Sequence, residues 1–492
     1  MNVLIETRPR RVACALLAFV IAVLGALFFT RASNLSSPQL LSDGQLMTRF
    51  LILPSMFAAG VLTLLSLAAP ATAQAEPAVA TSTMPETAKP FQAQIVGLQW
   101  LNPLQRRDYP TEWQLLWTLG QAQPNKDDDM VKSDPKSFSK LQAIGIIASG
   151  NEGAETFKGF HHKYVDALTL RFHKNYFSSP TYFYNAHSLK DKKTWRELAG
   201  IHVEYALPEG RLDPIEAATY TRERIVDTFD IGNPNFPKAW SRSTPPDVRV
   251  TMGGANAGFK SLAAGLDYLQ AHPTETVWVM NWDAPSFPPK DAQINENMVL
   301  LVLAGPNYNT ERAPLAWIGY PVSKKVADFE AQKGQPSRQI QAWKAAVETA
   351  ARNAGKQDGD IGYVIHDANN THSASSERIG ALAQTLTTEL VDFDFKKQTF
   401  NTPALLGELG AGTALTNVAL GIAYANHLGK NVLVAGTTDA EQPTAVVVSP
   451  PAKVRPIDPN APWFRARGGG SAFLPWWGLR HDAGQEPQGY SD

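Results

Sequence analysis

Between Phe91 and Pro451 the chain alternates between two hydrophobic periodicities, and this alternation constrains its fold more than any other feature. Apolar runs with strand character occur at Gln94–Gln99, Val248–Met252, Thr276–Asn281, Asp360–Ile365, Asn431–Thr437 and Thr444–Ser449. Helical spacing lies between them. Thr111–Leu119 puts Trp113, Leu116 and Trp117 on one face, and the helix after Met252 aligns Phe259, Leu262, Ala263, Leu266 and Leu269. Ser337 caps a predicted helix to about Asn353, with Ile340, Trp343, Ala346 and Ala350 in its stripe. Ser376–Phe393 reads as helix, and Pro403–His427 holds a Gly/Ala-rich helix after Gly412. Val299–Leu303 and Leu315–Tyr320 are expected to form a hairpin. Apolar strands alternating with helices predict α/β sheets covered on both faces, and the order strand, helix, strand, hairpin occurs loosely twice. The small residues of Leu405–Ala425 predict helices in close contact at the centre.

Composition narrows the function classes. At 44% hydrophobic residues the chain can bury a large core, and its net charge of −1 is unlike the basic balance of a nucleic-acid binder. The one cysteine, Cys14, lies in an N-terminal apolar segment, so the body is expected to have no disulfide, cysteine metal site or thiol nucleophile.

Two apolar segments, Val12–Phe29 and Phe50–Ala69, each suit a membrane span, which needs about 20 residues. Arg8, Arg10 and Arg11 place the N-terminus in the cytoplasm, and a hairpin of two spans returns the body to the cytoplasmic face. A second reading starts at Met47, where MTRFLILPSMFAAGVLTLLSLAAPATAQA has the form of a signal peptide and exports the body to the periplasm. Residues 1–75 are thus a membrane hairpin or signal region, and the Ala/Pro/Thr/Glu-rich 76–91 a linker. Residues 92–295 are a first half with an insertion, 296–451 a second half, and 452–492 an irregular C-terminal arm.

GGANAGFKSLAAGLDYL, residues 253–269, has the form of a nucleophile elbow, yet its turn holds Ala255, Asn256 and Ala257. Ala255 cannot attack a substrate and Asn256 is a poor nucleophile. Gly253, Gly254 and Gly258 read as turn and packing geometry, with an anion pocket at the helix N-terminus as the alternative. Asp367, His372 and Glu408 are candidates for an acid/base or metal site, against a reading as solvent-facing or capping residues. The neighbours His161 and His162 diverge on any regular element, so with His173 they predict no metal site. The chain lacks Gly-x-Ser-x-Gly and does not read as a lipase. Candidate partner anchors are Tyr182, Phe183 and Tyr184 within 123–247, and Trp476 and Trp477 in the arm, where Trp463-Phe464 form another pair. Core packing is the alternative for all of them.

Four stretches in order carry a resemblance over roughly 92–450. They are VGLQWLNPLQ with Glu112-Trp113, the elbow, IQAWKAAVETAARNAGKQDGDIGYVIHDANNT, and LLGELGAGTALTNVALGIAYANHLGKNVLV. Together they resemble the thiolase-like fold of β-ketoacyl synthases, which implies a duplicated αβαβα layered architecture. Those enzymes use a Cys-His-His triad. The resemblance puts the cysteine position at Ala255, the first histidine at Asp367 and the second at Glu408, with His366 one residue early and on the opposite face of a strand. As a whole the chain is more similar to the type VI secretion lipase-adaptor family, through FQAQIVGLQWLNPLQRRDYPTEW, TMGGANAG and GELGAGTA. That resemblance implies a non-catalytic adaptor without cofactor or metal, which binds a phospholipase effector and helps load it onto the secretion spike. It implies no nucleic-acid partner and leaves membrane anchoring and a homodimer open. The alternative is an inner-membrane-associated thiolase-like acyl-binding protein, or an enzyme with a non-standard site.

Overall fold

A computed structural model describes residues 90–103, 111–124, 126–139, 156–173, 202–231, 234–235, 246–286, 294–310, 313–368, 373–390 and 392–456, with residues 23, 48 and 55 singly. His372, Tyr182–Tyr184, Trp463-Phe464 and Trp476-Trp477 lie outside the described residues, as do almost all of the two N-terminal apolar segments. Among the described residues no helix is long and apolar enough to cross a membrane.

The first elements are β1 (Ala93–Leu101), α1 (Thr111–Thr118), α2 (Asp129–Ser133), α3 (Pro135–Ser139), α4 (Phe157–Phe172), β2 (His202–Pro208) and α5 (Pro214–Thr228). They are followed by β3 (Asp247–Gly253), α6 (Ala257–Ala271), β4 (Thr276–Asp283), β5 (Asn297–Ala304), β6 (Ala316–Ile318), β7 (Val322–Ser323) and α7 (Arg338–Asn353). The last are β8 (Ile361–His366), α8 (Ser373–Glu389), β9 (Thr399–Asn401), α9 (Thr402–Leu406), α10 (Thr413–Leu428), β10 (Asn431–Gly436) and β11 (Thr444–Ser449). Helix starts follow local chemistry. Asp213 accepts from the Ile215 and Glu216 amides at 2.9 Å ahead of α5, whose first residue is Pro214. Ser337 caps α7 through the Ile340 amide, as its position predicts.

The strands form one sheet in the order β3-β2-β4-β5-β1-β6-β11-β10-β8-β9, with β7 on β11. β2 pairs in parallel with β3 and β4, β4 antiparallel with β5, and β5 antiparallel with β1. The second set repeats this: β8 is parallel to β9 and β10, β10 antiparallel to β11, and β11 antiparallel to β6. The same strand order thus occurs twice along the chain, and the antiparallel pair β1–β6 joins the two sets. The strands divide after β5 rather than before it.

The expected hairpin at 299–320 does not form. β5 and β6 never pair, because β1 lies between them: Gln94–Leu101 runs against Ala304–Met298, and Ala93–Ile95 against Ile318–Ala316. Two fully apolar runs carry no local pairing signal, so a partner from far upstream wins. Gln94 secures the connection by donating to the carbonyls of Gly305 at 2.8 Å and Tyr308 at 2.6 Å.

Each strand set is covered on both faces. On one face of the first, α4 and α5 build a core with Tyr205, Trp278, Met280, Trp282 and Leu300. On the corresponding face of the second, α7 and α8 pack Trp343, Val347, Leu382 and Leu386 against Val364, Leu433 and Val447. α6 and α10 cover strands of the two sets and touch each other, with a Cβ at Gly258 standing only 3.0 Å from Ala414 Cβ and 3.1 Å from Leu415 Cγ. This is the close central helix contact that the small residues predict. Gly258→Val is expected to destabilise the fold by about 1–3 kcal/mol through overpacking, read as a lower urea midpoint. An unchanged midpoint would show that the two helices do not meet there.

Candidate functional site

The elbow sits where β3 hands over to α6. The Ala257 amide donates to Gly254 O at 2.9 Å and the Phe259 amide to Asn256 O at 3.1 Å, which closes the turn. Asn256 occupies the N-cap position but makes no side-chain capping bond. Its Oδ1 would stand 2.5 Å from a Cβ at Gly436, so the elbow abuts the end of β10. Packing explains Gly253, whose Cβ would meet Ala257 at 3.2 Å, and Gly258, whereas Gly254 faces open space. Gly254 thus serves the turn through its carbonyl, and close packing accounts for Gly253 and Gly258 only. Ala255 is half-buried.

Asp367 follows β8 and turns inward, contrary to a solvent-facing reading. Its Oδ1 accepts from the Thr437 amide at 2.6 Å and the Thr437 hydroxyl at 2.8 Å, and its Oδ2 accepts from the Thr438 hydroxyl at 2.8 Å. Burial pushes this carboxyl above the ordinary carboxylate range, with the Thr437 and Thr438 donors opposing it. The geometry makes Asp367 a staple between the ends of β8 and β10. His366, the last residue of β8, is buried near the Phe395 ring at 6.0 Å, and burial lowers its pKa to about 4. It is therefore a neutral imidazole at pH 7. Glu408 is exposed, while its backbone carbonyl accepts from the Asn295 amide at 2.6 Å. Ala255 and Asp367 thus flank the end of β10, and Glu408 lies on the turn that leads into α10, which packs on α6.

The turn carrying Glu408 is anchored by side chains that the sequence reading missed. Asn281 Nδ2 donates to Gly412 O at 2.7 Å and Asn297 Nδ2 to the same oxygen at 2.8 Å, while Trp100 Nε1 donates to Asn297 Oδ1 at 2.6 Å. Asp283 accepts from the Ala411 amide at 2.9 Å and from Arg211 Nη1 at 2.8 Å. Burial lifts the Asp283 pKa to about 6, with the Ala411 amide and the Arg211 charge opposing the rise. Polar residues at the ends of otherwise apolar strands were the available signal.

The histidines diverge as their spacing predicts. His161 is buried beside the Tyr205 hydroxyl at 3.1 Å, and burial, with the His162 charge, lowers its pKa to about 3. His162 stacks on Tyr220 at 3.5 Å instead, and His173 meets Phe229 at 5.1 Å. Among the described residues, Glu348, Asp358 and Glu389 bring ligand atoms within 4.8 Å of one another. The Lys344 ammonium already occupies the place of a cation there, bonding Glu389 at 2.9 Å and lying 3.8 Å from Glu348.

The region from just before β6 to just after β11 carries the family match. Residues 315–450 match the family of the type VI lipase adapter protein Tla3, in its C-terminal part. The adapter match covers the whole second strand set and includes Asp367, Glu408 and α10, while the elbow lies outside it. No curated protein matches the chain in sequence. Similar solved structures include the oxazolomycin ketosynthase domain of Streptomyces albus, at 12% identity and a TM-score of 0.43 over 75% of this chain and 98% of that one. The ishigamide ketosynthase/chain length factor is similar at 15% identity and a TM-score of 0.45, over 73% of this chain and 99% of that one. A ketosynthase of the Bacillus subtilis bacillaene synthase is similar at 12% identity and a TM-score of 0.44, over 73% and 70%. At such identities no activity passes from those proteins to this chain.

Proposed function

We propose that the chain is a non-catalytic adaptor that binds a phospholipase effector and helps load it onto the type VI secretion spike. The observation that carries this reading is the match of residues 315–450 to the lipase adapter family. The duplicated strand order supports a thiolase-like αβαβα architecture beneath it, with one half ending at β5 and the other beginning at β6. The elbow supports the non-catalytic part, since Ala255 offers no attacking atom and the Asp367 carboxylate is engaged by its threonine donors. The adaptor needs no cofactor. It works in the cytoplasm or at the cytoplasmic face of the inner membrane, and a periplasmic place follows instead if translation starts at Met47. A reporter fused after Ala75 separates these: cytoplasmic activity is expected, and periplasmic activity selects the exported reading.

The catalytic part is tested by incubating the purified full chain with an acyl thioester. Neither hydrolysis nor condensation above the buffer rate is expected. Turnover that disappears in Glu408→Ala or Asp367→Asn would replace the adaptor with an enzyme using a non-standard site.

A further inference from the structure

The two ends of the sheet are built differently. β3 ends the strand order on one side, and β9, its counterpart in the second set, ends it on the other. A sheet edge leaves every second residue with its N–H and C=O directed outward, ready to pair with another strand. β9 keeps its edge short, with three residues, Thr399–Asn401, before α9 begins. β3 runs for seven residues, Asp247–Gly253, holds no proline and pairs with β2 without a register shift. β2, β4 and β5 are buried at every residue, whereas all of β3 is partly or fully exposed. Among the described residues no strand lies on its outer side. Charge does not guard this edge either. The strand's one cation, Arg249, is neutralised by Asp247, with Nε 2.9 Å from Oδ2, and both side chains stay more than half exposed.

We propose that β3 is a docking edge, which takes an extended segment of a partner protein as an added strand. Two sets of side chains define the chemistry of that segment. Val248, Val250 and Met252 are only partly buried against the core of α4 and α5, so an added strand with apolar residues at alternate positions extends their cover. Asp247, Arg249 and Thr251 alternate with them on the opposite face. The segment that fits therefore also carries an acid opposite Arg249 and a base opposite Asp247. Main-chain bonds along the edge supply the attachment, and the alternating side chains select the sequence. A second copy of this chain meets the edge less well. A two-fold axis centred on Val250 overlaps all seven residues but sets Arg249 opposite Thr251, without a countercharge. Centred on Val248, it matches Asp247 with Arg249 but sets Pro246, which has no N–H to give, opposite Val250. β3 lies outside residues 315–450, so the docking edge goes beyond the adaptor reading and stands without it.

The test uses an end-capped peptide of the sequence Ser-Val-Thr-Ile-Glu-Val-Lys, which laid antiparallel sets its acid opposite Arg249 and its base opposite Asp247. Hydrogen exchange read by mass spectrometry on peptides spanning 247–253 of the full chain is compared with and without the probe at millimolar concentration. Binding protects the outward amides in proportion to occupancy, so exchange about threefold slower or more is expected with the probe. A control with proline in place of the central isoleucine should leave exchange unchanged. In Arg249→Glu, whose site is exposed, the response should move to a probe with lysine in place of its glutamate. An alternating probe that slows nothing, or a proline control that slows exchange equally, would overturn the proposal. Protection that rises with the concentration of the chain alone would also overturn it and assign the edge to a second copy. The probe has a defined sequence, so its failure leaves the phospholipase complex untouched as a separate question.

Discussion

Replacing either Glu112 or His427 alone by alanine is expected to cost about 3–5 kcal/mol of stability, because each breaks a buried pair and leaves the other group buried without that partner. The two side chains are fully buried, with His427 Nε2 2.6 Å from Glu112 Oε1. The His427 Nδ1 donates to Arg455 O at 2.6 Å, so the contact with Glu112 is attractive only if a proton lies between the two groups. The pair joins the start of α1 to the end of α10, and the Arg455 amide returns a bond to Asn426 O at 2.9 Å. It therefore fixes both the N-terminal part of the body and the start of the C-terminal arm against the central helix. The double replacement Glu112→Leu with His427→Leu should recover much of the loss, since removing both polar groups removes their desolvation cost. Urea unfolding of the full chain measures all three variants. Single variants within about 0.5 kcal/mol of wild type would mean the pair is not buried as described.

The second large effect is expected at Asp367. Its alanine variant leaves the Thr437 amide and hydroxyl and the Thr438 hydroxyl without their acceptor. Thr437 is buried and Thr438 is exposed, so the two Thr437 donors decide the cost; at about 1–3 kcal/mol for each orphaned buried donor, a loss of about 2 kcal/mol or more is expected. The conservative variant Asp367→Asn should lose less, because its side-chain carbonyl oxygen still accepts from part of that donor set. A pH dependence goes with it. The folded state holds this carboxyl above its ordinary value, so the group adds stability as pH falls from that raised value toward 3.8. Asp367→Asn should abolish that increment. If Asp367→Ala unfolds at the wild-type urea concentration, the staple between β8 and β10 is not energetically significant.

Much of the fold was legible because strand and helix periods are local. β11 has the predicted limits, and most other strands differ by a residue or two. The Ser337 cap was readable for the same reason, since one side chain and an amide three residues on suffice. Pairing was not legible. Nothing within Val299–Leu303 or Leu315–Tyr320 announces that β1 will lie between them. The site divides similarly. That Ala255 offers no attacking atom is visible in the letters, but the use of Asp367 as a staple depends on Thr437 and Thr438, some 70 residues away. Asn281 and Asn297 reach Gly412 across still longer separations of 131 and 115 residues, so no spacing rule links them.

The most direct test of the adaptor account is to purify the full chain from its native host under gentle conditions and measure the phospholipase that remains bound. The account predicts a stoichiometric complex with a type VI phospholipase effector that survives size-exclusion chromatography. A chain that retains no phospholipase under those conditions would contradict it.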